Sequence, residues 1–164
     1  MIKIMVSACL LGERVRYDGS ENRVDSYILN DWGAEGRLLS FCPELAGGLG
    51  IPRAPAEICQ GNGFRVLKRQ SSVITNKGTD VSEAFILGAE KALTIARKEK
   101  VQIAILKEGS PSCASSTIYD GSFSGLKIRG QGVTSALLDQ HGIRVFNEKG
   151  ILAAFEYLKM LENN

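Results

Sequence analysis

The sequence predicts an α/β fold, with a single doubly wound and mostly parallel sheet that carries helices on both faces. Short apolar runs of strand length alternate along the chain with longer segments in which apolar residues recur at helical spacing. The 164 residues, 44% of them hydrophobic, suit one domain that buries its own core without crosslinks. Because no internal repeat or low-complexity linker interrupts the chain, we expect one domain over residues 1–164.

The first half of the chain predicts two strands, one helix and a long loop. Apolar runs at 2–8 and 38–41 are typical of buried strands, and the second is stopped by Pro43, because proline cannot donate a ladder hydrogen bond. Helical spacing over 23–32 predicts the first crossover helix. Residues 47–75 are crowded with glycine and proline, which indicates a long functional loop followed by a short hairpin or irregular strands.

The second half begins with the clearest helix of the sequence. Asp80 and Glu83 form a plausible capping pair for a helix that runs to about residue 98. The apolar run at 101–106 predicts another buried strand, and a loop follows it. The glycines scattered over 109–132 predict a segment that is not regular throughout.

The C-terminal part predicts a helix, a strand and a last helix. The helix over 134–140 is expected to end where Gly142 adopts a left-handed cap. Residues 143–146 predict the last strand. Asn147 is the expected cap of a final helix that reaches about Leu161.

The charge balance gives no indication of a polyanionic partner. Twenty basic and 18 acidic side chains give a net charge of +2 without a long run of one sign, so there is no strong nucleic-acid signal. The apolar N-terminus lacks a signal-peptide layout and the length of a membrane span, which predicts a cytoplasmic protein without membrane contact. The lone histidine, His141, is expected to be structural, so a His-dependent triad has little support.

Three of the four cysteines follow predicted strands. Cys9 and Cys42 end the first two, and Cys113 lies in the loop after the third. The carboxyl ends of parallel strands meet at one edge of a sheet, where ligands bind, so we expect these thiols to converge. Three thiolates would leave one coordination position of a metal or cluster open for an exogenous ligand. Cys59, in the long loop, has three candidate roles, a fourth ligand, a resolving thiol or a bystander, and we favour the bystander.

Five segments, spread over nearly the whole chain, carry a family resemblance. They are SACLLGERVRYDG (7–19), CPELAGGLGIPRAPAEI (42–58), GTDVSEAFILGAE (78–90), AILKEGSPSC (104–113) and IYDGSFSGLKIRGQGVT (118–134).

In these segments the sequence resembles the DUF523 family, which includes the thiouracil desulfurases. The resemblance implies an α/β fold, an oxygen-sensitive [4Fe-4S] cluster and removal of sulfur from a thiolated pyrimidine base. Carried over by position, the cluster ligands are Cys9, Cys42 and Cys113. Ala114 stands where the family pattern has glycine, and Cys59 lies outside the shared pattern.

The implied reaction assigns further candidate residues. A Lewis-acidic iron would polarise the C–S bond while water attacks the carbon and hydrosulfide leaves. Glu44, two residues after Cys42, is the candidate for proton transfer. Ser110 and Ser112 are candidates for hydrogen bonds to the base or the cluster sulfurs, although turn formation is an ordinary role for such serines.

Other polar residues near the cysteines have two readings each. Arg53 and Glu57 either orient substrate or form a local salt bridge. Lys107 and Glu108 are expected to be solvated.

Two other functions stay open at this point. One is a metal-free enzyme with Cys113 as nucleophile, activated by a helix start or by Lys107. The other is a non-enzymatic metal sensor or carrier that uses the same thiolates. For a desulfurase, the expected partner is a small molecule, a thiolated base or nucleoside, while nucleotides and thiolated RNA bases also remain open.

Overall fold

A computed structural model describes residues 1–164 as eight strands, six α-helices and one 3₁₀ helix. The strands are β1 (Ile4–Ser7), β2 (Leu38–Phe41), β3 (Ala56–Cys59), β4 (Ser72–Thr75), β5 (Ile103–Ile105), β6 (Thr117–Tyr119), β7 (Lys127–Arg129) and β8 (Arg144–Phe146). The α-helices are α1 (Tyr27–Ala34), α2 (Pro43–Ala46), α3 (Gly63–Leu67), α4 (Ser82–Lys98), α5 (Val133–Gln140) and α6 (Ile151–Glu162), and the 3₁₀ helix is Ala8–Leu11.

The main sheet has the strand order β2-β1-β5-β8, and all its neighbouring strands are parallel. Side chains of β1 alternate between two separate apolar clusters, because successive residues of a strand point to opposite faces. Ile4 and Val6 pack with α1 and α6, whereas Met5 packs with α4 and α5. The predicted parallel sheet with helices on both faces is confirmed.

The two glycine-rich segments form short antiparallel ladders outside the main sheet. β3 pairs with β4, and β6 pairs with β7. The expected hairpin in the first segment is present, but its connection contains α3, which the sequence reading did not predict. The Asn62 side chain begins this helix by accepting a hydrogen bond from the Arg65 N–H at 3.1 Å.

The predicted starts of two helices are wrong. The first turn of α4 has no side-chain cap. Asp80 accepts a hydrogen bond from the Ser82 N–H, and Glu83 forms a salt bridge with Arg69 instead of bonding the backbone N–H at the start of the helix. Helix α6 begins at Ile151, later than expected. In both cases a tertiary or turn contact takes the side chain that would otherwise cap the helix.

The end of α5 agrees with expectation. Gly142 is left-handed, with φ at 79°, and its N–H bonds the Asp139 carbonyl. His141 lies beside it, exposed at the end of the helix. Across the whole fold, no helix combines the length and apolar character that a membrane crossing requires.

Helix α4 crosses the short helix α2 at a glycine contact. A Cβ on Gly88 would lie 2.0 Å from the Pro43 carbonyl oxygen, and one on Gly47 would lie 2.0 Å from the Ala84 carbonyl oxygen. Real Cβ atoms do not approach backbone so closely. The two segments can therefore pack at this distance only because both positions are glycine. This contact fixes the backbone immediately after Cys42.

Gly88→Ala is therefore expected to lower the free energy of unfolding by about 1–3 kcal/mol through overpacking. In an unconstrained helix the same change stabilises by about 1 kcal/mol. Gly33→Ala in α1 is the matched control, because its Cβ would meet only the Leu38 side chain, at 3.8 Å. Urea unfolding of both variants checks the sign, and a Gly88→Ala protein as stable as wild type would contradict the packing described.

Candidate active site

The carboxyl edge of the main sheet opens into a cleft of about 470 Å³. Three of the four cysteines, Cys9, Cys42 and Cys113, line this cleft, and Cys59 does not. All four are free thiols. The convergence that the strand ends predict is therefore present in the geometry.

Cys9 lies in the 3₁₀ helix that follows β1. Gly12, left-handed at φ 91°, ends this helix and turns the chain back. The Asn22 backbone N–H bonds the Cys9 carbonyl at 2.9 Å, and its side-chain amide points at Sγ from 3.9 Å. Burial raises the pKa of the Cys9 thiol, while the Asn22 amide opposes that shift by stabilising the thiolate.

Cys42 occupies the position just before α2, with Pro43 in the first turn. Proline suits that position because a first-turn N–H needs no intrahelical partner. Burial raises the pKa of Cys42, and the backbone N–H groups of Leu45 and Glu44 partly offset this by hydrogen bonding to the sulfur.

Cys113 is held by a turn built on Ser110. The Ser110 hydroxyl oxygen accepts hydrogen bonds from the N–H groups of Ser112 and Cys113, at 3.1 and 3.0 Å. The Ser135 hydroxyl donates to the Cys113 carbonyl at 2.7 Å. Burial raises the pKa of the Cys113 thiol to about 12, against a hydrogen bond from Ser7 that favours the thiolate.

The two candidate serines have different surroundings. Ser110 lines the cleft, whereas Ser112 is fully buried and shares a 2.8 Å hydrogen bond with the Thr134 hydroxyl. The Ser112 carbonyl accepts from the Thr134 N–H at 2.8 Å. Ser112 thus joins the Cys113 loop to the start of α5, and of the two serines only Ser110 lines the cleft.

The donor set fits a cluster better than a single metal ion. No three His, Cys, Asp or Glu side chains come close enough together to hold one ion. A mononuclear zinc site needs all its sulfurs about 2.3 Å from one atom, whereas a cluster distributes its thiolates over several irons. Three soft sulfur donors around one cleft therefore fit an iron–sulfur cluster.

Glu44 also lines the cleft, fixed by Arg53. The Arg53 Nε donates to Glu44 Oε2 at 2.7 Å, and its other nitrogens donate to the carbonyls of Gly50 and Val15. The side chains are only 10% and 18% exposed, so the pair is shielded. Of the two readings for Arg53, the salt bridge is present, but with Glu44 and not with Glu57.

The expectation that Glu108 is solvated is wrong. Its Oε1 accepts from the backbone N–H groups of Ser115, Ser116 and Thr117, and its Oε2 accepts from both serine hydroxyls and the Asn147 amide. Partial burial alone would raise the Glu108 pKa, but these hydrogen bonds outweigh it and lower the pKa to about 2. The run of hydroxyl residues shortly after Glu108 is the one sequence signal for this network.

Lys107 is likewise engaged in the structure. Its ammonium lies 2.8 Å from Glu148 Oε2 and donates to the Glu108 carbonyl, and its backbone N–H bonds the Ser7 hydroxyl. Lys107 lines the cleft and favours the thiolate form of Cys9 electrostatically. A cation at this position offsets negative charge that collects on the sulfurs.

Fold and site together define a class of protein: an α/β protein whose parallel sheet gathers three thiols and a carboxylate around one open cleft. Comparisons with known proteins identify the family. A model of the 2-thiouracil desulfurase family matches residues 4–150. The chain belongs to that family.

One known protein and one solved structure are similar to most of this chain. The uncharacterized protein YbbK of Bacillus subtilis (strain 168) is 46% identical over 145 residues, which are 88% of this chain and 95% of YbbK. A solved structure described as the [4Fe-4S]-dependent thiouracil desulfidase TudS superposes with a TM-score of 0.89 at 46% identity, covering 98% of this chain and 99% of that one.

Glu108→Gln is expected to lower the free energy of unfolding at pH 7 by about 1–2 kcal/mol, a value reduced for the partial exposure of the carboxylate. The folded pKa lies below the ordinary value of 4.5, so wild type loses this advantage as the pH falls from 4.5 towards 2.

Urea unfolding of cluster-free protein at pH 7 and pH 3 measures the gap between the two proteins. Glu90→Gln, an exposed position on α4, serves as the control. A gap that is equal at both pH values would show that the carboxylate's charge is not the source.

Proposed function

We propose that this chain is a [4Fe-4S]-dependent desulfurase that removes sulfur from a thiolated pyrimidine base and releases hydrosulfide. The cluster is held by Cys9, Cys42 and Cys113. The observation that carries the proposal is that these three thiols, out of four, share one open cleft with a carboxylate. The TudS structure, 46% identical over nearly the full chain, is described as dependent on such a cluster.

The proposal extends to the setting of the enzyme. We infer one domain over residues 1–164, acting in the cytoplasm on a small-molecule thiolated base or nucleoside. Free thiols at all four cysteines fit a reducing compartment. The cleft volume of about 470 Å³ is that of a small-molecule site.

The reaction is a hydrolysis in which water oxygen bonds to the thiocarbonyl carbon, the C–S bond breaks and sulfur leaves as hydrosulfide. When bound, a cluster with one iron free of protein ligands supplies a Lewis acid for the substrate sulfur. The chain itself must orient the ring, place the water and move the protons.

Glu44 is the proton acceptor for the attacking water. Its Oε2 is occupied by Arg53, and its Oε1 has no protein donor. Because no buried side-chain oxygen in the structure lacks a partner, Oε1 is accessible from the cleft. The ion pair with Arg53 fixes the orientation of the carboxylate, and a general base must be held within reach of the proton that it removes.

Ser110 is placed to hydrogen-bond the substrate. Its oxygen already accepts two backbone N–H bonds, so its hydroxyl proton is available to a carbonyl or ring nitrogen in the cleft. Ser112 does not contact the substrate. It positions the Cys113 loop through its hydrogen bonds to Thr134 of α5.

The environment of Cys113 disfavours the metal-free alternative. A cysteine nucleophile reacts as the thiolate and needs a lowered pKa. Burial raises the pKa of Cys113 to about 12, and the residue is only 6% exposed. Lys107, the proposed activator, is paired with Glu148.

Replacing Cys9, Cys42 or Cys113 with Ser is expected to abolish or severely reduce cluster content and desulfurase activity. Cys59→Ser is the matched control and should retain both, because Cys59 lies outside the cleft. Anaerobic purification, iron and sulfide analysis, charge-transfer absorption and a thiouracil desulfurisation assay test these expectations. Loss of the cluster in Cys59→Ser would contradict the three-ligand model, since a fourth protein ligand would leave no open iron.

Glu44→Gln is expected to reduce kcat about 10²–10⁴-fold, the usual contribution of a general base, with cluster content unchanged. The amide still accepts a hydrogen bond from Arg53 but cannot take a proton. Glu13→Gln, an exposed position, controls for nonspecific charge effects. A Glu44→Gln enzyme within a few-fold of wild type would remove Glu44 from the proton-transfer role.

A further inference from the structure

The tip of the β6–β7 hairpin, residues 120–126, contributes an aromatic side chain to the cleft. Phe123 lines the cleft and remains 39% exposed. Its backbone has φ at 56°, in the left-handed region that favours glycine. A large apolar residue in a strained and exposed position costs stability, and such strain concentrates at functional sites.

The hairpin tip is held in place by Glu57 of β3. Oε1 of Glu57 accepts hydrogen bonds from the N–H groups of Gly121 and Phe123, at 3.0 and 3.2 Å. This one carboxylate oxygen therefore bonds the residues before and after Ser122. Asp120 adds a local bond by accepting from the Ser122 N–H at 2.9 Å.

A close backbone contact secures the same tip. Gly121 is left-handed, with φ at 94°, and a Cβ there would lie 2.7 Å from the Ile58 carbonyl oxygen and 3.3 Å from Cys59 Sγ. The hairpin thus rests directly on the backbone at the end of β3. The fold thus holds the backbone of the hairpin tip through Glu57 and through Gly121, while the Phe123 side chain lines the cleft and is partly exposed.

We propose that Phe123 is a substrate-binding residue whose ring stacks on the pyrimidine of the substrate, and that Glu57 is the residue that positions it. The inference rests on the proposed function and names its specificity element. A thiolated pyrimidine is a planar conjugated ring, and its faces offer a phenyl side chain a stacking surface that needs no hydrogen bonds. In this arrangement the polar edge of the same ring lies towards the cysteine-held cluster, Glu44 and Ser110.

Binding of 2-thiouracil, measured by titration calorimetry on anaerobic holoprotein that carries Glu44→Gln to slow turnover, tests the proposal, and KM and kcat are measured in the enzyme with Glu44 intact. Phe123→Gly should raise Kd and KM about tenfold or more, the usual loss when a stacking ring is removed. Its kcat should stay within about twofold, as expected for uniform binding. The melting temperature should not fall, because glycine adopts positive φ without strain.

Phe123→Tyr retains a ring and should restore Kd to near the wild-type value. Leu126→Ala is the matched control: Leu126 is 62% exposed in the same hairpin and lies outside the cleft. Glu57→Ala should raise Kd as Phe123→Gly does, whereas Glu57→Gln should largely rescue it, since an amide oxygen also accepts the two N–H bonds.

The outcomes separate the two proposals. A wild-type holoprotein that binds 2-thiouracil through Phe123 without converting it would overturn the proposed function and uphold the stacking role. Unchanged Kd in Phe123→Gly, or no binding by wild type, would overturn the stacking role. Tight binding retained in Glu57→Ala would remove Glu57 from the positioning role alone.

Discussion

The parallel pairing of β1 with both β2 and β5 is the constraint on which the site depends. It aligns three strand ends at one edge, with Ser7 beside Phe41 and Val6 beside Ile105. The chain that leaves each strand carries a cysteine into the same cleft. Because β1 is buried on both faces by helices, the register cannot slip without exposing its apolar side chains.

The loops at this edge lie outside the sheet and do not take part in its hydrogen bonds, so their backbone N–H groups need other partners. Carboxylates supply many of them. Glu108 satisfies three consecutive N–H groups after Cys113, and Glu57 satisfies two in the β6–β7 tip. Glu44 is held in turn by Arg53, which also bonds carbonyls of two neighbouring loops. The same residue type thus serves as hydrogen-bond partner of the loops and, at Glu44, as the proposed proton acceptor.

The sequence predicted what local pattern and topology determine. The parallel sheet, the long helix α4 and the meeting of Cys9, Cys42 and Cys113 all follow from periodicity and from the rule for strand ends. It did not predict the roles of Glu108 or Asn147, whose partners lie up to 39 residues away and come together only in the folded chain. Short helices such as α2 and α3 were missed because a single turn carries almost no periodic signal.

The burial that brings the three thiols together also opposes their ionisation. It raises the pKa of each, with Cys113 reaching about 12, yet a metal centre binds only thiolates. Each sulfur has at least one donor that favours the anion: the Asn22 amide at Cys9, backbone N–H groups at Cys42 and the Ser7 hydroxyl at Cys113.

These donors do not reverse the effect of burial, so the pKa of each thiol stays raised. A cluster held by Cys9, Cys42 and Cys113 would need all three sulfurs as thiolates, and its positive charge would favour that form. A metal-free nucleophile would instead require one thiol whose pKa is selectively lowered, and the cleft contains none. The electrostatics of the cleft thus favour shared ligation by three sulfurs over nucleophilic attack by one.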